Sequence, residues 1–249
     1  MSGASLRSLS PRQIVETAAR LERRIRERFP EAGLVRVAAE LHQTAGEAAH
    51  RVADLRRPNW LVRGLVALLL VALAGLVGRA LLGVRVAGGV SEWAPLAQTV
   101  EATINNLVFV GIAVLFLVGL EGRLKRRRSL RAIQELRRIA HIVDMHQLTK
   151  DPDRYVFGMA DTLSSPLRPL SRFELSRYLD YCSELLSITG KVAALYGDGV
   201  DDPVVLGAVQ QVEALATGLS GKIWQKILIL DTSGHLAADS AGQRPPPLP

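Results

Sequence analysis

Apolar residues recur along this chain in two rhythms, one at helical spacing and one almost without interruption. The helical rhythm opens at Ser10-Pro11-Arg12-Gln13, which offers an N-cap, a proline at the first helical position and a capping-box glutamine. Ile14, Ala18, Leu21 and Ile25 then follow at spacings of 4, 3 and 4, until Pro30 and Gly33 break the helix. A second helix carries Leu34, Ala38, Leu41, Ala45, Ala48, Val52 and Leu55 in an unbroken 4-3-4-3-4-3 pattern. That is a heptad seam, made thin by its three alanines. It can close on the Ile14–Ile25 helix as an antiparallel pair or on another subunit; the pattern leaves both open.

The uninterrupted rhythm follows. Residues 64–78 are 15 positions without a charge, and residues 102–120 are 19. A bilayer core of about 30 Å needs about 20 apolar residues as a helix. The second run nearly meets this by itself. The first does so when Arg63 and Arg79 snorkel to opposite interfaces, giving a span over 60–82. Between the spans, residues 83–99 hold Gly88-Gly89 and Pro95 and read as a short external loop. About 60 mostly polar residues precede the first run, a poor fit to a cleavable signal.

Helical spacing then returns. Ile133, Leu136, Ala140, Val143 and Leu148 lie on or near one face, and Asp151-Pro152 ends that helix. A long connection over 155–169 precedes Ser171-Arg172-Phe173-Glu174, a capping box. The helix it starts carries Leu175, Leu179, Cys182, Leu186, Thr189 and Val192. Asp202-Pro203 opens another, with Val205, Val209, Val212, Ala216, Leu219, Ile223 and Ile227. The expected fold is all-α. It comprises a cytoplasmic N-terminal helical hairpin over 1–58, a transmembrane hairpin over 59–122, a helical bundle over 123–231 and a disordered Pro-rich tail over 232–249.

Charge orients this arrangement. Residues 1–63 carry 12 basic and 7 acidic side chains, and residues 121–138 carry 8 against 2. The loop between the spans has almost no positive bias, so both termini are expected in the cytoplasm. Trp60, Arg63, Arg79, Trp93, Arg123, Lys125, Arg126, Arg127 and Arg128 are the expected interface residues. Positive charge beside apolar spans points to anionic lipid head groups rather than to nucleic acid. Ala74 and Gly78, with Gly75, form a small-residue patch that permits close helix approach, within one hairpin or between copies. Asn105 and Asn106 are polar but lie toward the outer end of the second span, and no ionisable group sits at mid-membrane.

Little chemistry rises above this framework. His141, Asp144 and His146 are the one cluster of possible metal ligands, yet His146 is turned about 140° from His141 on a helix. No phosphate loop, dinucleotide fingerprint, nucleophile elbow or zinc signature occurs, so no cofactor is expected. Cys182, the single cysteine, sits among Leu179, Leu185 and Leu186 as a small buried hydrophobe would.

Residues 140–152, AHIVDMHQLTKDP, and 170–187, LSRFELSRYLDYCSELLS, resemble an uncharacterised family of bacterial two-span membrane proteins. The resemblance spans roughly the C-terminal half; it implies a bacterial inner membrane and no particular activity. The expectation is a non-catalytic, membrane-anchored scaffold or accessory subunit, working with other subunits or with copies of itself. A homo-oligomeric channel is the alternative, and a metal-dependent enzyme using His141, Asp144 and His146 is the third reading.

Overall fold

The computed structural model describes residues 9–57, 60–86, 93–150, 152 and 170–242. Among these the chain is all-helical: α1 (Pro11–Arg28), α2 (Leu34–Arg56), α3 (Trp60–Val86), α4 (Trp93–Leu148), α5 (Arg172–Gly199) and α6 (Pro203–Gly242). Two compact units result. One joins Met1–Asp54 to Ser129–Pro249, and the other is Leu55–Arg128.

Local chemistry starts and stops the helices of the first unit. The Ser10 hydroxyl accepts the Gln13 N–H at 3.4 Å, with Pro11 in the first turn of α1. The α5 capping box closes in both directions. Glu174 N–H donates to Ser171 Oγ at 3.3 Å, and Ser171 N–H donates to Glu174 Oε2 at 2.8 Å. At α6 the Asp202 carboxylate accepts the N–H groups of Val204 and Val205, at 2.9 and 3.2 Å, ahead of Pro203. Each cap satisfies donors that no helical carbonyl reaches, and a cap contributes about 1 kcal/mol.

The apolar seams then meet. α5 and α6 pack along one another, antiparallel, since a side chain at Gly197 would meet Leu206 and Val209 while one at Gly190 would meet Ala216. α1 lies on α5, with the Phe29 ring edge-on to Tyr178 and Tyr181 at 5.5 and 6.2 Å. Leu34, Ala38, Leu41, Ala45, Ala48, Val52 and Leu55 are all buried, as are Ile133, Leu136, Ala140 and Val143 on α4. Val52 approaches the α5 terminus so closely that a Cβ on Gly199 would lie 2.9 Å from its Cγ1. Burying each Leu or Val of this core contributes about 1.5–3 kcal/mol. The N-terminal helices and the C-terminal helices, separate in the sequence reading, thus share one core. The small side chains of the α2 seam permit that approach.

Three expected boundaries move. Residues 83–86 extend α3 and residues 93–99 belong to α4, so the loop expected over 83–99 contracts. Pro95 falls within the first turn of α4, where its missing N–H costs nothing. α4 then continues without a break through the basic run to Leu148, because no proline interrupts 96–148. Residues 232–242, expected in a disordered tail, continue α6, as the first proline after Pro203 is Pro245. The Gly88-Gly89 turn, the connection over 155–169 and the proline run 245–249 lie outside the described residues.

Candidate functional site

The second unit is built the opposite way round. α3 and α4 each contain an 18-residue window long and apolar enough to cross a membrane, and none of either window is buried. Leu68, Val71, Phe109, Ile112, Leu115 and Phe116 are all exposed, Leu115 at 74%. A core helix of a water-soluble protein passes the same length test but is mostly buried, which these are not. A side chain at Gly75, Gly78, Gly111 or Gly122 would meet open space among the described residues. Ala74 is exposed and Gly78 half-exposed, so neither is packed against a described neighbour.

Polar side chains gather at the ends of the apolar windows. Trp60 is 75% exposed and Arg63 is exposed one turn later. Arg79 is exposed toward the other end of α3, while the Trp93 side chain lies outside the described residues. On α4, Arg123 covers the Phe116 ring at 5.2 Å, as a snorkelling arginine covers an apolar neighbour. Lys125 pairs with Glu121 at 2.9 Å and donates to the Arg57 carbonyl at 3.2 Å. That hydrogen bond brings the approach to α3 within one lysine side chain of α4. Arg126 is half-buried, and Arg127 and Arg128 are exposed.

Within the first unit, the proposed ligands His141, Asp144 and His146 do not converge. His141 is exposed, and Asp144 accepts the Gln147 side-chain amide at 2.6 Å. His146 faces the α1–α2 turn, where a Cβ on Gly33 would lie 2.6 Å from its ring. Burial lowers the His146 pKa, with Arg36 and Lys150 nearby adding to the effect. No three His, Cys, Asp or Glu residues are grouped to hold a metal among the described residues. Cys182 is buried and its thiol is pushed up to about 12 by burial, against a smaller opposing effect of Lys150 and Lys226. Such a thiol is inert rather than nucleophilic.

Two features escaped the sequence reading. Lys226 of α6 donates to the carbonyls of Gln147 and Lys150 at 2.9 and 3.1 Å, capping the C-terminus of α4 with a cation. An open groove of about 460 Å³ runs between α1, α5 and α6, lined by Thr17, Asp180, Glu184, Lys191, Trp224 and Ile227 among others. Its carboxylates already have partners: Arg177 holds Asp180 and Arg24 holds Glu184, each at 2.9 Å. Asp180, Glu184, Ser187 and Lys191 recur at 4-3-4 spacing, the one sequence signal that marked this polar stripe. Near the end of the unit where the chain leaves after Asp54 and returns at Ser129, Arg51 of α2 bonds Glu135 of α4 at 3.2 Å. The neighbouring Tyr196 phenol is buried and raised by that burial, with Arg51 opposing; it forms no hydrogen bond of normal geometry among the described residues.

Compared with protein-family models, curated proteins and solved structures, the chain matches none.

Proposed function

We propose that this protein is a non-catalytic membrane-anchored scaffold or accessory subunit of the bacterial inner membrane. The observation that carries the reading is the contrast in burial. Neither spanning-length apolar window contains a buried residue, while the other helices and the 129–148 part of α4 close a core of their own. In this reading α3 and α4 form a transmembrane hairpin with both termini in the cytoplasm. Its support is the concentration of Arg56, Arg57, Arg63 and Arg123–Arg128 at one end of the two windows. Anionic lipids meet that collar, and the closed helical head offers its outer faces to partner subunits or to copies of the chain.

The open glycine faces of α3 and α4 support contact with further helices inside the membrane. They also favour the second reading, a homo-oligomeric channel, which liposome flux separates from a scaffold because a scaffold passes nothing. Crosslinking in native membranes tests the first reading. A defined heteromeric or homomeric adduct is expected in carbonate-resistant membranes. A strictly monomeric, partnerless chain would overturn it.

A further inference from the structure

The collar has more structure than a topology signal requires. Residues 102–134 contain a single acid, Glu121, and Lys125 occupies it at 2.9 Å. The same ammonium donates to the Arg57 carbonyl at 3.2 Å, which holds the arginine-bearing approach to α3 beside the arginine-bearing stretch of α4. Arg57 and Arg63 thus stand on one strand of chain, and Arg127 and Arg128 on its neighbour, with Arg63, Arg127 and Arg128 exposed. All but one of the basic residues here are arginines, whose planar fork grips two phosphate oxygens at once where lysine offers a point charge.

From this juxtaposition we infer that the collar is a binding site for an anionic phospholipid whose head group carries two phosphates, one taken from each helix. A head group with one phosphate engages one arginine group and leaves the other to water. The inference rests on the membrane-anchor reading and names the lipid that the anchor selects. The exposed Phe109, Ile112, Leu115 and Phe116 of α4 give the acyl chains of such a lipid an apolar surface to lie along. Because the contact is charge on charge at a surface, its strength falls as salt rises.

Native mass spectrometry of the full chain in detergent, titrated separately with four probes, tests this. They are a two-phosphate lipid (cardiolipin), phosphatidylglycerol, phosphatidylcholine and inorganic phosphate. Cardiolipin is expected to be retained about tenfold more tightly than phosphatidylglycerol, with phosphatidylcholine weaker still. Inorganic phosphate at millimolar concentration should not displace it. The double variant Arg127→Gln/Arg128→Gln is expected to lose that tenfold preference. The charge-conserving Arg127→Lys/Arg128→Lys should lose several-fold of it, and Arg79→Gln, at the other end of α3, should lose none. Equal retention of the two anionic lipids, ready displacement by inorganic phosphate, or an unchanged preference in the Gln variant would each overturn the inference. Carbonate extraction of the membranes before detergent is added keeps the two readings apart. A chain that stays in the membrane but shows no lipid preference refutes only the site, whereas a chain that extracts refutes the anchor itself.

Discussion

Leu115 and Leu136 lie on one continuous helix, α4, about six turns apart, and their surroundings are opposite. Leu115 is 74% exposed and Leu136 is fully buried. Backbone and side chain are the same; what differs is the environment the sequence around each demands. Near Leu136 the apolar positions recur every three or four residues, so one face is apolar and a few partner helices cover it. Around Leu115 they run on all sides, and no described helix buries them. The comparison teaches that one helix carries apolar surface in two ways, covered by partner helices over 129–148 and left without a buried residue over the apolar window before it.

Substitutions can break or sharpen that contrast. Leu136→Ala should cost the head roughly 4 kcal/mol, since the vacated volume has buried neighbours that cannot all collapse into it. Cys182 gives the measurement, because its buried thiol stays unreactive until the head opens, and its alkylation should accelerate accordingly. Leu115→Ala should leave that rate unchanged. If both leucines behave alike, the two-environment picture fails. Ile112→Arg is next, placing a charge near the centre of the second span at a cost of about 3 kcal/mol to insertion. Carbonate extraction should then release a fraction of the chain, whereas on a water-facing helix the same change would do almost nothing.

Gly199→Ala sharpens the head alone. Its new methyl would lie 2.9 Å from Val52 Cγ1, a buried β-branched side chain with little rotamer freedom. A loss of about 2 kcal/mol is expected from overpacking, read as a lower melting temperature. Lys226→Met keeps the stem but removes two hydrogen bonds, to the carbonyls of Gln147 in the last turn of α4 and Lys150 just beyond it, for a loss of about 1.5 kcal/mol. Faster hydrogen exchange over residues 144–150 would locate it.

The smallest effect concerns acid. His146 has a folded pKa below its unfolded value, first because of burial and then because of Arg36 and Lys150. The unfolded chain therefore binds more protons in the window just below the ordinary histidine range. Its contribution to stability is complete above that range and is lost as pH falls through the folded pKa. Denaturant midpoints from pH 7.5 downward should show this slope, and His146→Asn should flatten it. An unchanged slope in the variant would assign the acid sensitivity elsewhere.

Much of the fold is legible in the sequence. The seven seam positions from Leu34 to Leu55 were assigned to one face by spacing alone, and all seven are buried. Ser171 and Glu174 announced a helix start, and the capping box forms there. The helix ends were less legible. Pro95 reads as a loop signal although it sits equally well in a first helical turn, and residues 232–242 lack apolar periodicity although nothing in them stops a helix. The groove beside Trp224 was less legible still, because its lining comes from three helices whose mutual placement no local pattern encodes.

The sequence by itself determined which two runs, 64–78 and 102–120, are apolar on every side and set arginines beside them, because neither run contains a charge. It also determined which face of each remaining helix turns inward, because burial of that face is the dominant favourable term. Only the tertiary structure decided that helices 80 and more residues apart share one core, with Arg51 on Glu135 and Gly199 against Val52. It also decided that Lys226 closes the end of α4 and that His146 turns to Gly33 rather than to His141. A heptad seam specifies that it must be covered but not by what; that choice falls to the fit of side chains arriving from distant parts of the chain.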